Sequence, residues 1–599
     1  MVDESALDLL HRVFGFHQFR GHQAEVIGHL SAGGHALVLM PTGAGKSLCY
    51  QIPALMRPGT GLVVSPLIAL MQDQVAAMQQ YGIRAAYLNS TLDWPSQQRI
   101  EQSLVRGTLD LLYVAPERLL KPRMLDLLSR SKLALIAIDE AHCVSQWGHD
   151  FRPDYLQIAT LFEHFPDVPR LALTATADIP TRREIIEKLH LSDARLFVSS
   201  FDRPNICYTV AQKDRPRDQV TAFLKDHAGD AGIIYCLSRR KVDETAAWLQ
   251  AEGWDALPYH AGLTADQRKQ NQQRFLREEG VVMVATIAFG MGIDKSNVRF
   301  VAHLDLPRSL EAYYQETGRA GRDGLPAHAW MIYGLQDVVA LRQMLESSDS
   351  EPARKKIEHH KLESMLAYCE ATRCRRRILL NYFGDALDEA CGNCDICTSS
   401  RDVFDATTYA RQALSCIYRT GQRFGVSYVI DVLRGVDESR IREAGHQLLH
   451  VFGIGKELSV TQWRTLLRQL VARGFVTVDV DGHGGLQLTE SARPLLRGEQ
   501  VFFSHKEASP AKKKSGDVQK DKETARGGLF EGLRQRRKQI SEEQGVAPYV
   551  IFSDAVLQEM SQAKPKNLRQ FAGITGVGAR KLELYGNEFL AVIKAFSKK

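Results

Sequence analysis

The sequence predicts an α/β protein that begins with two doubly wound lobes, each built on a mainly parallel sheet. Short apolar runs of strand length, such as residues 61–65 and 111–114, alternate with helical patterns. The same rhythm restarts after residue 210, for example at residues 232–236. A glycine-bearing loop at residues 41–47 follows one of the first apolar runs. Because alternating strands and helices form parallel sheets with helices on both faces, the restart indicates a second lobe.

Length and composition limit the class of protein. A chain of 599 residues is too long for a single hydrophobic core, so we expect roughly three to five domains. With 44% hydrophobic and 24% charged residues, the composition is that of a globular protein. No apolar run approaches the ~18 residues that a membrane span requires, and the first residues lack a secretory signal pattern. We therefore expect a cytoplasmic protein.

The net charge of +6 is concentrated in one segment. Residues 501–540 hold eleven Lys and Arg against five Asp and Glu, so the rest of the chain balances at 65 against 65. A polyanion would therefore have to be bound by organised sites rather than by bulk charge. Residues 505–527 are polar and basic, which is typical of a flexible linker; salt-sensitive contact with phosphates is the second interpretation.

The loop at residues 41–47 is a candidate phosphate site. Glycines at this position let backbone N–H groups curl around a polyphosphate, and a helix N-terminus adds positive potential. Lys46 is expected to reach the outer phosphates, and the Ser47 hydroxyl is expected to hold Mg²⁺. The usual pattern opens with glycine where this chain has Met40, so an ordinary glycine-rich turn is the alternative. The loop residues predicted to bind the nucleotide are Thr42, Gly43, Gly45, Lys46 and Ser47.

An acidic pair follows the apolar run at residues 133–138. At the carboxyl end of a parallel strand, Asp139 would lie beside the phosphate loop and bind Mg²⁺ through water. Glu140 would orient and deprotonate the attacking water. A helix N-cap is the alternative role for such a pair. The upstream loop in the same sheet favours the catalytic interpretation.

The second lobe lacks a phosphate loop and carries Arg319 and Arg322 instead. We expect both side chains on one face at the start of a helix. Forked guanidinium groups suit a γ-phosphate whose charge redistributes during transfer. Surface salt bridges are the alternative role. Combined with the first-lobe site, the pair predicts ATP hydrolysis in a cleft between the lobes, coupled to lobe closure.

The order of these motifs resembles a superfamily-two helicase core, and residues 1–340 resemble the RecQ family in particular. Further runs that carry the resemblance are residues 16–23, 65–74, 174–177, 259–263 and 285–294. The resemblance implies that Phe16, Arg20 and Gln23 frame the adenine, and that Gly290 and Asp294 belong to the nucleotide site. Gln23 offers both a donor and an acceptor to one base edge. Packing in the core is the alternative role for Phe16.

Residues 145–155 follow the acidic pair and resemble the aromatic-rich loop of the family. That loop couples DNA contact to ATP hydrolysis, which implies nucleic-acid contacts for Trp147, Phe151 and Arg152. Aromatic rings can stack on bases and arginine can contact phosphates. Packing in the core is the alternative role for Trp147 and Phe151.

A cysteine cluster predicts a structural Zn²⁺ site. Two-residue gaps suit tetrahedral zinc, and four protein thiolates fill the coordination sphere. A redox CxxC pair is the alternative. The neighbouring arginines at 373 and 375–377 would contact phosphate or form a helix surface. The predicted ligands, in which the family pattern favours Cys374 over Cys369, are Cys374, Cys391, Cys394 and Cys397.

Two further modules are expected near the end of the chain. Three helical patterns precede a two-stranded ribbon, which resembles the winged helix that binds duplex DNA in RecQ proteins. At the tip of the ribbon, His483 would either stack against the DNA at the fork where its strands separate or face solvent. Residues 528–599 resemble an HRDC domain, in which Tyr549 would contact single-stranded DNA. The glycines at 573–578 would either bind phosphate or permit tight helix packing.

The resemblance implies an ATP-dependent DNA helicase with 3′–5′ polarity that acts on forks and junctions in recombination and repair. It implies ATP, Mg²⁺ and Zn²⁺ as cofactors, single-stranded and duplex DNA as partners, and no membrane partner. We further expect contact with a single-strand-binding protein, activity as a monomer and association with the nucleoid of a bacterial-type cytosol. An RNA helicase, or a DNA-binding regulator that uses ATP as a conformational switch, are the alternatives.

The predicted division of the chain follows from these motifs. It comprises a first lobe at 1–205, a second lobe at 206–340, a zinc-binding segment at 341–402, a winged helix at 403–504, a linker at 505–527 and an HRDC domain at 528–599.

Overall fold

The computed structural model describes residues 4–89, 92–145, 151–287, 289, 295–399, 403–478, 485–505 and 528–597. They form two α/β lobes with parallel sheets, a helical segment with four clustered cysteines, a winged helix and a C-terminal helical bundle. The predicted fold class is confirmed. Within these residues, no helix combines the length and the apolar composition needed to cross a bilayer.

The first lobe is built on seven parallel strands in the order β3-β4-β2-β5-β6-β1-β7. The strand sequences are almost wholly apolar because helices cover both faces of a parallel sheet. Accordingly, every residue of three of the strands is buried. The strands are β1 (Ala36–Leu39), β2 (Thr60–Val64), β3 (Ala85–Leu88), β4 (Leu111–Val114), β5 (Leu133–Ile138), β6 (Arg170–Thr174) and β7 (Arg195–Val198).

The helices of the first lobe pack on both faces of this sheet and bury two separate apolar clusters. Several begin where the sequence provides a cap: Asp93 and Asp178 each accept a backbone N–H in the first turn, and a proline follows within two residues. The helices are Glu4–Leu9, Leu10–Phe14 (a π-helix), Gln23–Ser31, Leu48–Met56, Ile68–Gln80, Trp94–Val105, Pro116–Leu119, Pro122–Ser129, Ala141–Val144 (a 3₁₀-helix), Pro153–Leu156, Ala159–His164 and Ile179–Lys188.

The second lobe contains six parallel strands in the order β10-β11-β9-β12-β13-β8. Its strands are β8 (Ile206–Gln212), β9 (Ala231–Tyr235), β10 (Ala256–Tyr259), β11 (Val282–Ala285), β12 (Val298–His303) and β13 (Ala327–Tyr333). Its helices are Pro216–Lys225, Arg239–Ala251, Ala265–Arg277, Leu310–Thr317 and Leu335–Glu346. In both lobes the carboxyl ends of the central strands lie at one edge, which is where parallel sheets gather ligands.

The winged helix differs in two respects from the prediction. Four α-helices rather than three precede the ribbon, because the short helix Ser439–Glu443 is too brief to give a periodic signal. A second ladder closes the domain, since β14 (Val403–Asp405) pairs antiparallel with β17 (Phe503–His505). The other elements are the helices Pro352–Cys369, Arg375–Tyr382 and Asp395–Thr398 of the cysteine segment, then Thr407–Arg419, Val426–Arg434, His446–Leu448 (a 3₁₀-helix), Val460–Ala472, β15 (Val476–Val478), β16 (Leu486–Leu488) and Ala492–Arg497.

The C-terminal bundle (528–597) docks on both lobes. Tyr585 donates to Oε1 of Gln80 in the first lobe at 3.1 Å, while Arg537 pairs with Glu279 of the second lobe at 2.9 Å. The bundle glycines serve close packing: Gly576 donates its N–H to the carbonyl of Gly15 at 2.8 Å. The helices are Gly528–Gln544, Pro548–Ile551, Asp554–Ala563, Leu568–Phe571 and Ala579–Ser597.

Candidate active site and metal centre

The phosphate loop (41–47) connects β1 to the helix Leu48–Met56. Gly43 and Gly45 have φ values of 84° and 80°, a region that residues with a side chain rarely adopt. Met40 stands where the usual motif has glycine because it belongs to the sheet: it is buried, and its N–H donates to the carbonyl of Thr174. The ammonium of Lys46 donates to the Met40 carbonyl at 3.1 Å. The loop therefore has the conformation of a phosphate cradle with its lysine inside.

Gln23 braces this loop. Its amide donates to the carbonyls of Ala44 and Gly45, both at 3.1 Å, and its oxygen accepts the N–H of Arg20 at 2.8 Å. The other predicted adenine contacts lie nearby in sequence: the ring of Phe16 is half-buried against the first-lobe core, and the Arg20 side chain is exposed. Gln23 thus connects the predicted adenine segment to the phosphate loop.

The acidic pair lies at the carboxyl end of β5. Burial and the charge of Glu140 raise the pKa of Asp139, and the charge of Lys46 only partly offsets them. The backbone of Glu140 is left-handed, with φ 49°, which is uncommon for a residue other than glycine and typical of functional sites. Its N–H donates to Oδ1 of Asp139 at 3.0 Å. Burial is the main cause of the raised pKa, and a divalent cation bound there would stabilise the charged form of Asp139.

His142 connects the acidic pair to the next strand, a role that the sequence analysis missed. It is fully buried, and its Nδ1 lies 2.9 Å from Oγ1 of Thr174 and 3.4 Å from Oε2 of Glu140. The same Thr174 hydroxyl accepts the N–H of Thr176 at 3.2 Å. The only signal in the sequence was that the run at 139–142 and the run at 174–177 both resemble motifs of the family. The structure shows that they are joined by direct side-chain contact.

The arginine turn (318–323) faces the phosphate loop across the cleft. Our prediction that Arg319 and Arg322 begin a helix was wrong, because they follow the end of the helix Leu310–Thr317. Glycines at 318 and 321 stop the helix, and Gly321 has a φ of 58°. A methyl group placed on Gly43 would lie 3.5 Å from Cγ of Arg322. The structure therefore brings Arg322 against the phosphate loop, with Arg319 buried behind it.

The segment that holds the arginine turn is fixed from inside the second lobe. His303, at the end of β12, pairs with Glu316 through Nε2 and Oε2 at 2.7 Å, and both residues are buried. Near them, burial raises the pKa of Tyr235 to about 12, although the charge of Arg319 acts in the opposite direction. Neither His303 nor Glu316 was predicted, because a single histidine in an apolar strand gives no functional signal.

Some predicted contacts lie elsewhere or outside the described residues. Arg152 donates to the carbonyl of Pro66 at 2.9 Å, within the run at 65–74 that carries the family resemblance. Phe151 is half-buried. Tyr549 packs against an apolar cluster of the second lobe. Four of the predicted site residues lie outside the described part of the chain: Trp147, Gly290, Asp294 and His483.

The four predicted zinc ligands form a compact cluster. Their sulfur atoms lie within 4.8 Å of one another, and the Sγ atoms of Cys391 and Cys397 are 3.9 Å apart. Tetrahedral zinc with Zn–S bonds of about 2.3 Å places sulfur atoms about 3.8 Å apart, so the cluster fits the ion. Burial opposes ionisation of Cys374, but the N–H of Cys391 donates to its sulfur and lowers its pKa. In the part of the chain that the structure describes, this cluster contains Cys374 and not Cys369.

Two of the arginines beside the cluster, Arg375 and Arg376, are buried and have a structural role. Arg375 pairs with Asp395 at 2.6 Å. Arg376 donates to the carbonyl of Ile206 at 2.6 Å, and Asn393 donates to that of Pro204 at 3.0 Å. These contacts attach the cysteine segment to the edge strand β8 of the second lobe. The sequence analysis left two roles open for these arginines, a phosphate contact and a place on a helix surface. Neither role applies to Arg375 or Arg376.

Comparison with known proteins agrees with this architecture. The chain matches models of the DEAD/DEAH box helicase (20–185), the helicase conserved C-terminal domain (216–324), RecQ zinc-binding (335–398), the RQC domain (400–513) and the HRDC domain (526–593).

Whole-length relatives define the family. The chain is 47% identical to the ATP-dependent DNA helicase RecQ of Pasteurella multocida, over 100% of this chain and 95% of the relative. It is 47% identical to that of Haemophilus influenzae, with 98% and 96% covered, and 40% identical to that of Bacillus subtilis, with 99% of both chains covered. With the cleft, the cysteine cluster and the domain order, these matches show that the chain belongs to the RecQ family of ATP-dependent DNA helicases.

Proposed function

We propose that this chain hydrolyses ATP in the cleft between its lobes and uses the cycle to unwind duplex DNA with 3′–5′ polarity. One observation carries the proposal: a phosphate loop, an acidic pair and an arginine turn from different parts of the chain meet at one cleft. The lysine and carboxylates come from the first lobe, and the arginines come from the second. Hydrolysis in such a cleft depends on how the lobes are placed, which couples chemistry to movement along DNA.

The roles of the site residues follow from their positions. Lys46 would neutralise the outer phosphates, and Glu140 would take a proton from the attacking water. Arg319 and Arg322 would stabilise the charge that develops on the γ-phosphate. Ser47 and Asp139 would hold Mg²⁺, which neutralises phosphate charge when bound. Phe16, Arg20 and Gln23, with Thr42, Gly43 and Gly45, complete the proposed nucleotide site, to which Gly290 and Asp294 would belong.

The DNA contacts are proposed on family grounds and on side-chain chemistry. Trp147, Phe151 and Arg152 would couple DNA contact to hydrolysis, and His483 would lie at the fork. Tyr549 would bind single-stranded DNA, but its ring packs on the second lobe in this structure. Such binding would therefore require the bundle to leave its docking position.

The biological setting is likewise a proposal. We infer that the chain acts in recombination and repair at forks and junctions, as a monomer in a bacterial-type cytosol, with a single-strand-binding protein as a partner. Its division into units at 1–205, 206–340, 341–402, 403–504, 505–527 and 528–599 is supported by the positions of the matched models.

The variant Lys46→Ala tests the proposed site. We expect it to reduce DNA-stimulated ATP hydrolysis at least about 100-fold, because the phosphates lose their cation. Zinc content and DNA binding should remain close to those of the parent. Lys188→Ala, at an exposed position in the same lobe, is the control and should retain activity. Undiminished hydrolysis by Lys46→Ala would refute the site.

Tailed duplexes test substrate and polarity. We expect ATP-dependent unwinding of a 3′-tailed DNA duplex and little unwinding of a matched 5′-tailed one. Preference for an RNA duplex would favour the RNA-helicase alternative. ATP binding without strand separation would favour the regulator.

A further inference from the structure

Arg203 spans the cleft between the two lobes. It lies in the connection between β7 and β8 and is only 9% exposed. Its Nη1 donates to the carbonyl of Thr42 in the phosphate loop at 2.6 Å. The remaining bonds reach the arginine turn: Nη1 donates to the carbonyl of Gly318 at 3.0 Å, and Nη2 donates to those of Ala320 at 2.9 Å and Gly321 at 3.0 Å. One guanidinium therefore holds both sides of the site.

The acceptors explain why an arginine occupies this position. The carbonyl of Gly318 lies at the C-terminal cap of the helix Leu310–Thr317, and those of Ala320 and Gly321 belong to the turn beyond it. A helix C-terminus carries partial negative charge, so a cation there is stabilising. Burial lowers the pKa of Arg203, yet a guanidinium keeps its proton in proteins. Its planar fork can serve several acceptors in fixed directions, whereas the ammonium of lysine acts as a compact point charge.

The two sides of the cleft leave little room for a side chain at the glycines around this residue. A methyl group on Gly318 would lie 3.4 Å from Oγ1 of Thr42. A methyl group on Gly43 would lie 3.6 Å from Nη1 of Arg203 and 3.5 Å from Cγ of Arg322. The guanidinium thus lies at the point where the phosphate loop meets the arginine turn.

We propose that Arg203 is a positioning residue for ATP hydrolysis, which sets the spacing between the phosphate loop and the arginine turn. It acts through main-chain carbonyls, and thereby determines where Arg319 and Arg322 meet the γ-phosphate. Three of its four bonds reach the arginine turn and one reaches the phosphate loop, so the lobes separate by breaking the bond to Thr42. Arg203 then moves with the arginine turn and binds the loop again on closure. This inference rests on the proposed function.

Two substitutions of Arg203 and one matched control test the inference in the full-length protein. Arg203→Ala removes all four bonds, and Arg203→Lys keeps the charge but loses the fork. Asn205→Ala is the control, because Asn205 lies two residues from Arg203 and donates to the carbonyls of Gly321 and Leu325, which are both on the second-lobe side of the cleft. The measurements are kcat and KM for ATP in DNA-stimulated hydrolysis, together with thermal unfolding.

We expect kcat to fall about 100-fold in Arg203→Ala and about tenfold in Arg203→Lys, because misplaced arginines stabilise the transition state less well. KM should change less than about threefold, since the groups that bind ATP remain. Asn205→Ala should stay within about threefold of the parent in kcat. If Arg203→Ala does not fold, Arg203→Lys decides the question.

Three results would overturn the inference: an unchanged kcat in Arg203→Lys, a rise in KM alone, or an equal loss of kcat in Asn205→Ala. The inference and the proposed function can fail separately. Loss of hydrolysis in Lys46→Ala, combined with full activity in Arg203→Lys, would contradict only the role of Arg203. Retained hydrolysis in Lys46→Ala would contradict the site itself.

Discussion

Each lobe places an aspartate at the carboxyl end of a central strand, and the two carboxylates are in opposite electrostatic states. In the first lobe, burial and the charge of Glu140 raise the pKa of Asp139. In the second lobe, burial alone would raise the pKa of Asp305, but the charges of Lys213 and Lys241 outweigh it and lower the pKa. Lys213 lies 3.0 Å from Asp305, and Lys241 lies 2.5 Å from it.

The difference separates a carboxylate whose charge the surrounding protein leaves incompletely balanced from one that two lysines balance. Both lobes share the parallel architecture, so the position at the strand end does not by itself give function. Among the described residues, Lys46 is the lysine whose charge acts on Asp139, and it acts on Glu140 as well, whereas Asp305 pairs with both Lys213 and Lys241. A carboxylate that protein charges leave incompletely neutralised can accept Mg²⁺, while a fully paired one stabilises the fold.

Asp139→Asn should give the largest effect and should act on activity alone. We expect DNA-stimulated ATP hydrolysis to fall about 100-fold or more, because a metal-binding carboxylate is lost. Stability should stay the same or rise, since a raised pKa means that the charged form opposes folding near neutral pH. Hydrolysis assays and urea unfolding would check this. A marked loss of stability would remove the contrast between the lobes.

Asp305→Asn should act in the opposite way. It removes the carboxylate that Lys213 and Lys241 share, while Lys213 keeps its ion pair with Asp337 at 2.6 Å. We expect a loss of about 2 kcal/mol in the free energy of unfolding. Hydrolysis by the folded protein should remain within about threefold of the parent. Asp218→Asn is the control, because Asp218 is exposed and pairs with an exposed arginine; it should change stability by less than about 0.5 kcal/mol.

Acid should remove the contribution of Asp305 to the free energy of unfolding. This is the smallest of the expected effects. Its pKa in the folded state lies below the ordinary value of 3.8. The stabilisation is therefore complete above that value and is lost as the pH falls through the folded-state pKa. In urea unfolding, the difference between the parent and Asp305→Asn should be constant from pH 7 to about 5 and should shrink below about 4. A difference that grows in acid would contradict the lowered pKa.

The groups that the sequence analysis singled out most directly are those with local spacing. The phosphate loop and the acidic pair each occupy a short contiguous run, and three of the four clustered cysteines lie within seven residues, at 391, 394 and 397. Arg203 gave no such signal, because its acceptors are main-chain carbonyls far away in sequence. The arginine turn was misplaced because glycines at 318 and 321 end the helix. The β14–β17 ladder was missed because each strand has only three residues.

The attachment of the cysteine segment has a consequence for the motor. Arg376 and Asn393 hold the main chain at residues 204–206, immediately after Arg203. Cys394 forms an isolated bridge with Tyr208 of the adjoining strand. Removal of the metal would therefore disturb the main chain that positions the Arg203 guanidinium, although Arg203 lies more than 160 residues before the cysteines in the chain. In such a protein both lobes would stay folded but would be misaligned at the cleft. ATP hydrolysis would then be lost under conditions in which the fold persists.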